Sequence, residues 1–311
     1  MERNKEKIRR CFIIINIILI GLLVFFIFKE NSLIKEKITQ KDKITKDYQI
    51  LLNDTEISEN EINEVNKNIN ELENIDDTIK NIKEEVFKLA SELEHKIQNK
   101  ETNKKIAYLT FDDGPYYNTY KVLNILKENH VKATFFTTNV NGTYCYDNKN
   151  YNCHKLYKEY AKANHTIANH TYTHGWNRGL YRSTESFMDA VRKQENLVKS
   201  ETGIITNIVR FPGGSSTPGK TKGKAMQNAL YKAGYGWVDW TAQDGDGKGI
   251  SSLDEARSIF KKSIDEAIEV VLFHDYDSKT TKLLPEFIKY LQDKDYILLP
   301  LFYNSVMINK E

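Results

Sequence analysis

No proline occurs before Pro115 and no glycine between Gly21 and Gly114, although the chain is 311 residues long. The two residue types that most readily break a helix are therefore missing from nearly the whole first third. That excludes a turn-rich globular fold there and leaves helix as the expectation. Charge of either sign is also lacking in excess: the net charge is +2, and no basic patch is interleaved with aromatic residues. Neither feature favours a nucleic-acid partner. Cysteine is scarce. Cys11 lies within an apolar run, and Cys145 and Cys153 flank the polar stretch "YDNKNYN", where a short disulfide loop and two free thiols both fit.

The N-terminus, "MERNKEKIRR", is basic and leads into "CFIIINIILIGLLVFFIF" at residues 11–28. That run matches the roughly 17 to 25 apolar residues needed to span a bilayer. No small-x-small cleavage pattern follows before "KENS", so the run reads as an uncleaved anchor. The basic flank, residues 1–10, then stays in the cytoplasm and the remainder lies outside the cell membrane, as a single-pass protein. Residues 29–103 carry apolar side chains at Ile62, Val65, Ile69, Leu72, Ile75, Ile79, Ile82, Val86, Leu89, Leu93 and Ile97. Their alternating steps are those of a heptad seam, which predicts a helical or coiled-coil stalk through which the chain could form a homo-oligomer. A solvated charged helix is the plainer reading, since Asn66, Asn68, Asn70 and Asn74 weaken helix propensity.

Residues 104–311 change character. Short apolar runs ("IAYLTF", "ATFFTT", "TIANHT", "IVRFPG", "GWVDWT", "VVLFHD", "YILLPL") alternate with amphipathic segments at 119–129, 155–163, 184–202, 222–233, 252–268 and 281–293. Strict alternation implies parallel strands with crossover helices, an α/β class. About seven such units predict a deformed, incomplete β/α barrel.

Polar residues collect at the ends of these strands, which a β/α barrel gathers on one face. "TFDDGP" ends a strand on two adjacent carboxylates, Asp112 and Asp113. Like charges so close raise one pKa unless a cation stands nearby, so something positive is expected there. His170 and His174, four residues apart in "NHTYTHG", would share a face if the segment turned helically. Two histidines and a carboxylate from elsewhere supply three ligands for a divalent metal and leave a position open for water.

The ordered set "TFDDGP", "HTYTH", "RFPGGS", "VDWTAQDGD" and "LFH" resembles the motifs of the polysaccharide deacetylases, the NodB-homology carbohydrate esterases (family 4). The resemblance covers about residues 105–301 and neither anchor nor stalk. It implies removal of acetyl groups from N-acetylated sugars by a metal-dependent hydrolase, with zinc the first choice of metal and cobalt the second. Carried across, Asp113, His170 and His174 match the metal ligands, Asp112 the general base, Arg210 the arginine that holds it, and His274 the general acid. Asp246 matches the aspartate that tunes the acid, with Asp244 as a second match. Gly213 lies where the family places an oxyanion donor, and Trp240 and Leu272 match residues lining the acetyl pocket. "RFPGGSS" departs from relatives in lacking two consecutive prolines and a following aromatic.

The expectation is therefore an extracellular, membrane-anchored deacetylase of cell-wall glycan, foremost peptidoglycan N-acetylglucosamine, which would confer lysozyme resistance. The alternatives are muramic acid, chitin-like oligomers or an exopolysaccharide as substrate, or a non-catalytic glycan-binding envelope protein built on a coiled-coil scaffold.

Overall fold

The computed structural model describes residues 76–139, 153–175 and 179–310. Strand β1 (Lys105–Asp112) is the axis of the sheet, and seven of its eight residues are buried. Its sequence is a nearly unbroken apolar run, as a parallel strand covered on both faces requires. Alternate side chains enter two environments. Ala107, Leu109 and Phe111 join the main core cluster, while Thr110 and Asp112 turn to the barrel interior, where Arg210 meets both.

Around this axis lie β2 (Thr134–Thr137), β3 (Thr166–Asn169), β4 (Ile208–Val209), β5 (Gly236–Trp237), β6 (Ala242–Gln243), β7 (Ile268–His274) and β8 (Tyr296–Leu299). The order is β5-β4-β3-β2-β1-β7-β6, with β8 beside the first half of β1. Every strand pairing is parallel. The path ends at β5 and β6, giving a curled half-barrel, the deformed β/α barrel expected from the alternation. Crossovers are made by α2 (Thr119–Glu128), α3 (His154–Lys162), α4 (Thr184–Thr202), α5 (Lys220–Lys232), α6 (Leu253–Ser263) and α7 (Ser278–Gln292).

Two details differ from the sequence expectation. The helix expected over 252–268 stops at Ser263, where Ile264 is extended (φ −86°, ψ 92°). The next two backbone N–H groups, of Asp265 and Glu266, donate to the Glu269 carboxylate at 2.8 and 2.7 Å. This turn aims the chain into β7. Strand β6 was not anticipated, because two residues are too few to set a pattern.

The last residues close the base of the barrel. Leu301 N–H donates to Thr134 Oγ1, and Leu301 carbonyl accepts from Thr166 Oγ1, both at 2.8 Å, beneath the first residues of β2 and β3. Further on, Asn309 and Trp237 exchange backbone hydrogen bonds of 2.8 and 2.9 Å. Helix α1 (Asp76–Gln98) docks on this strip. Phe87 stacks on Phe302 at 4.9 Å between centroids. Buried Glu94 accepts from Tyr108 Oη (2.7 Å), Ser305 Oγ (2.5 Å) and Val306 N–H (3.0 Å). Burial pushes the Glu94 pKa up, and these donors oppose the shift. Val86, Leu89, Leu93 and Ile97 of the apolar seam are buried.

The rest of the expected stalk, the apolar run 11–28 and the basic flank lie outside the described residues. Among the described residues no helix is long and apolar enough to cross a membrane. Cys153, buried at the start of α3, is disulfide-bonded to a partner outside the described residues.

Candidate active site

The polar ends of β1, β3, β4, β5 and β7 converge at the carboxyl edge of the sheet. Asp113 has φ +69°, a left-handed backbone conformation. Both carboxylates approach His170 Nε2, Asp113 through Oδ1 at 3.5 Å and Asp112 through Oδ2 at 3.6 Å. Asp112 Oδ1 accepts from Arg210 Nη1 at 2.8 Å. Arg210 is fully buried and spends its other donors on Thr110 Oγ1 (2.7 Å), Asp239 carbonyl (3.1 Å) and Val238 carbonyl (3.3 Å). Its guanidinium lies 4.0 Å from the Phe136 ring centroid. Burial pushes the Asp112 carboxyl above its usual range and Arg210 opposes this, leaving an ion-paired carboxylate of raised basicity.

Asp113, His170 and His174 each bring one ligand atom into a group spanning no more than 4.8 Å. His174 Nε2 is 3.1 Å and His170 Nε2 3.5 Å from Asp113 Oδ1. The histidines do not share a helical turn, as their spacing suggested. They sit on an irregular loop whose Thr171 (φ 64°) and His174 (φ 43°) are left-handed, and this loop brings the rings to 4.9 Å. Asn169 fixes the loop by accepting from Thr171 N–H (2.9 Å) and donating to the Val191 carbonyl (2.9 Å). His170 Nδ1 lies 2.9 Å from the Arg210 carbonyl, which can only accept. The proton therefore resides on Nδ1, and the Nε2 lone pair faces the triad. Burial, then His174, lowers the His170 pKa to about 3, so the ring is neutral and ready to ligate. This donor set and its orientation fit a divalent metal.

On the other side stands His274, at the end of β7. Its Nδ1 is 2.8 Å from Asp246 Oδ1, and its backbone N–H donates to Asp246 Oδ2 at 2.6 Å. Burial alone would lower the His274 pKa, but Asp246 and then Asp113 and Asp112 lift it to about 10. Of the two aspartates left open by sequence, Asp246 contacts the imidazole. Asp244 lies behind, accepting from the Asp246 N–H (3.1 Å) and Thr280 Oγ1 (2.6 Å).

Trp240 and Leu272 are the expected lining of the acetyl pocket, and Gly213 the expected oxyanion donor. Gly213 and Gly214 have φ of +74° and +91°, and a Cβ on Gly214 would meet the Trp240 ring at 3.4 Å. Leu272 lies on the same face of β7 as His274, two residues before it. Sequence reasoning singles out Asp239 only as a polar residue at the end of the fifth strand, and it misses Gly247 and Asp275. Asp239 clamps the glycine turn by accepting from Ser215 N–H (2.9 Å) and Ser215 Oγ (2.5 Å). Gly247 leaves room for the acid, because a Cβ there would lie 2.9 Å from His274 Cε1. Buried Asp275 underlies the first loop, where a Cβ on Gly114 would meet Asp275 Oδ2 at 2.8 Å and Tyr160 Oη at 2.9 Å. Of the two missed residues, Asp275 carried a signal, as a second acid next to His274.

Comparison with known families matches residues 99–235 to "Polysaccharide deacetylase". Among solved structures, the catalytic domain of a peptidoglycan N-acetylglucosamine deacetylase from Eubacterium rectale is 30% identical, with a TM-score of 0.59 over 67% of this chain and 94% of that one. This chain belongs to the polysaccharide deacetylase family. A peptidoglycan-N-acetylglucosamine deacetylase of Bacillus cereus is 29% identical over 225 residues, 68% of this deacetylase and 78% of the relative. A polysaccharide deacetylase structure from Bacillus cereus is 26% identical, with a TM-score of 0.56 over 65% of this chain and 94% of its own. The protein is accordingly a hydrolase of carbon–nitrogen bonds in a metal-dependent family, and Asp113, His170 and His174 form the grouping suited to the metal.

Proposed function

We propose that this deacetylase removes acetyl groups from cell-wall glycan, with the N-acetylglucosamine of peptidoglycan as its substrate. One observation carries the reading. An arginine-paired carboxylate, Asp112, and an aspartate-held imidazole, His274, both adjoin the Asp113–His170–His174 triad. Two relatives named for that substrate support the choice of sugar.

A divalent ion, zinc foremost, held by Asp113, His170 and His174 would supply Lewis acidity toward water and the acetamide carbonyl. Asp112 takes a proton from the attacking water, and its raised basicity suits that task. In the turn after β4 the Gly214 N–H is committed to the Phe211 carbonyl and the Ser215 N–H to Asp239. Pro212 has no N–H, and Gly213, at the position that matches the family's oxyanion donor, supplies the N–H for the developing oxyanion. Trp240 and Leu272 enclose the acetyl methyl. Protonated His274 then gives its proton to the departing nitrogen as the C–N bond breaks, because an amine anion is too basic to leave. The products are acetate and a glucosamine residue.

We further place the enzyme on the outer face of the cell membrane, held by residues 11–28 with the basic flank inside. The supporting feature is the sequence pattern alone, and protease added to intact protoplasts should digest the catalytic domain. The function is tested by loading the purified full-length protein with zinc and weighing its products from N-acetylglucosamine oligomers, chitin-like oligomers and muropeptides. Acetyl loss from the glucosamine of muropeptides is expected. Loss from muramic acid, or from free oligomers alone, would reassign the substrate, and glycan binding without any acetyl loss would support a scaffold. In cells, deletion should increase lysozyme sensitivity, because that class of enzyme reads the acetamide through polar contacts.

A further inference from the structure

The residues that follow two of the catalytic motifs are aromatic, and the chemistry above does not use them. "TFDDGP" runs on into Tyr116 and Tyr117, and "LFHD" into Tyr276. Their rings form a continuous row leading away from the acid. His274 and Tyr276 lie 5.0 Å apart between centroids, Tyr276 and Tyr116 5.9 Å in an edge-to-face arrangement, and Tyr116 and Tyr117 4.6 Å. Exposure rises outward, with Tyr276 and Tyr116 half-buried and Tyr117 47% exposed.

The row is held rigidly. Tyr116 N–H donates to Thr119 Oγ1 at 2.8 Å, and Thr119 Oγ1 in turn donates to the Asp275 carboxylate. Asn118 Nδ2 donates to the Tyr276 carbonyl at 3.3 Å. These bonds tie the loop after β1 to the loop after β7, so both halves of the row are positioned by the segments that adjoin Asp113 and His274.

We infer that Tyr276, Tyr116 and Tyr117 form a stacking track for successive sugar rings of the glycan, on the side of the site from which the amine departs. The inference rests on the function proposed above. His274 must reach the nitrogen of the sugar being deacetylated, so that ring lies against His274, and its neighbour along the chain meets the row. The apolar face of a pyranose presents C–H groups of slight positive charge, which the negative face of a phenol ring attracts. A preorganised track of this kind gives length preference by binding remote units without ordering cost at the moment of binding.

The test compares wild-type, Tyr117→Ala and Tyr117→Trp full-length protein on N-acetylglucosamine oligomers of increasing length. Tyr117 is exposed, so its truncation leaves the core packing untouched, and the Trp variant restores a ring. For Tyr117→Ala, kcat/KM on the longest oligomer should fall about five- to tenfold further than on the dimer, through KM. Tyr117→Trp should keep the length preference. In a second arm that needs no turnover, calorimetric titration with fully deacetylated glucosamine hexamer should show weaker binding to Tyr117→Ala than to wild type. Equal length dependence and equal hexamer binding in wild type and Tyr117→Ala would overturn the track while leaving the proposed function standing. Absence of acetyl release by wild type from every glycan would overturn both.

Discussion

Asp246 grips His274 through both carboxylate oxygens, one 2.8 Å from Nδ1 and the other accepting the residue's own backbone N–H at 2.6 Å. The first contact sets charge and the second sets position, so the two can be separated by substitution. Asp246→Asn should keep much of the geometry and remove the charge. With Asp246 present the His274 pKa stands at about 10, so the proton is retained through neutral pH and lost only as pH rises through that value. Without the charge the pKa falls, and the alkaline limb of kcat/KM should move to lower pH. An unmoved limb would remove Asp246 from this role.

The adjacent carboxylates of β1 should fail in different ways. Asp113→Ala or His174→Ala deletes one of three grouped ligands, and bound zinc should be lost together with activity. Asp112→Asn should retain zinc at the wild-type stoichiometry while turnover falls about 100-fold or more. Metal analysis on the purified proteins separates the cases. Chelation should inactivate the wild type, and added zinc should restore it.

Arg210 combines a buried ion pair with three further acceptors, and lysine cannot reproduce that fork. Arg210→Lys should therefore unfold at lower urea, with a loss of about 3 kcal/mol, as expected when a buried charge is left poorly paired. Its activity should fall with it. A variant as stable as wild type would mean that Asp112 is neutral in the folded protein.

Two glycines offer a comparison between ligand and acid. In Gly247→Ala the new methyl would press on His274 Cε1 from 2.9 Å, so kcat should drop while zinc affinity holds. In Gly114→Ala it would meet Asp275 and Tyr160, displacing the loop that carries Asp113. There zinc affinity should weaken, and stability should fall by about 1–3 kcal/mol. Competition with a chromogenic chelator reads the first quantity and thermal melting the second.

The legible parts of this molecule are those with a local cause. Helix α4 begins and ends where the sequence indicates because Ser183 accepts the Ser186 N–H and Gly203 adopts φ 76° at the other end. The motif residues are equally readable, since strand ends deliver them to one edge of the sheet. What escaped the sequence depends on distant partners. The end of α6 is set by Glu269, six residues beyond Ser263 and in the following strand. The convergence of His170 and His174 depends on two left-handed residues that carry side chains, which no spacing rule anticipates. Gly247 and Gly114 matter through what fills the space beside them, and that is invisible without coordinates. Glu94 sits among heptad-spaced apolar residues and reads as a surface charge until Ser305, 211 positions later, is brought beneath it.

That last contact bears on how the protein is made. The strip holding Leu301, Ser305 and Val306 shuts the base of the barrel, yet it follows every strand of the sheet and so is synthesised after all of them. Until it arrives, the undersides of β2 and β3 stay open, and Tyr108 and Glu94 lack their shared lock. Closure across so long a separation is slow, and exposed strand ends meanwhile invite association with other chains. Removing residues 301–311 should therefore act as a folding lesion, with aggregated protein in the pellet, although this strip bonds to Glu94, Thr134, Thr166 and Trp237, away from the catalytic groups.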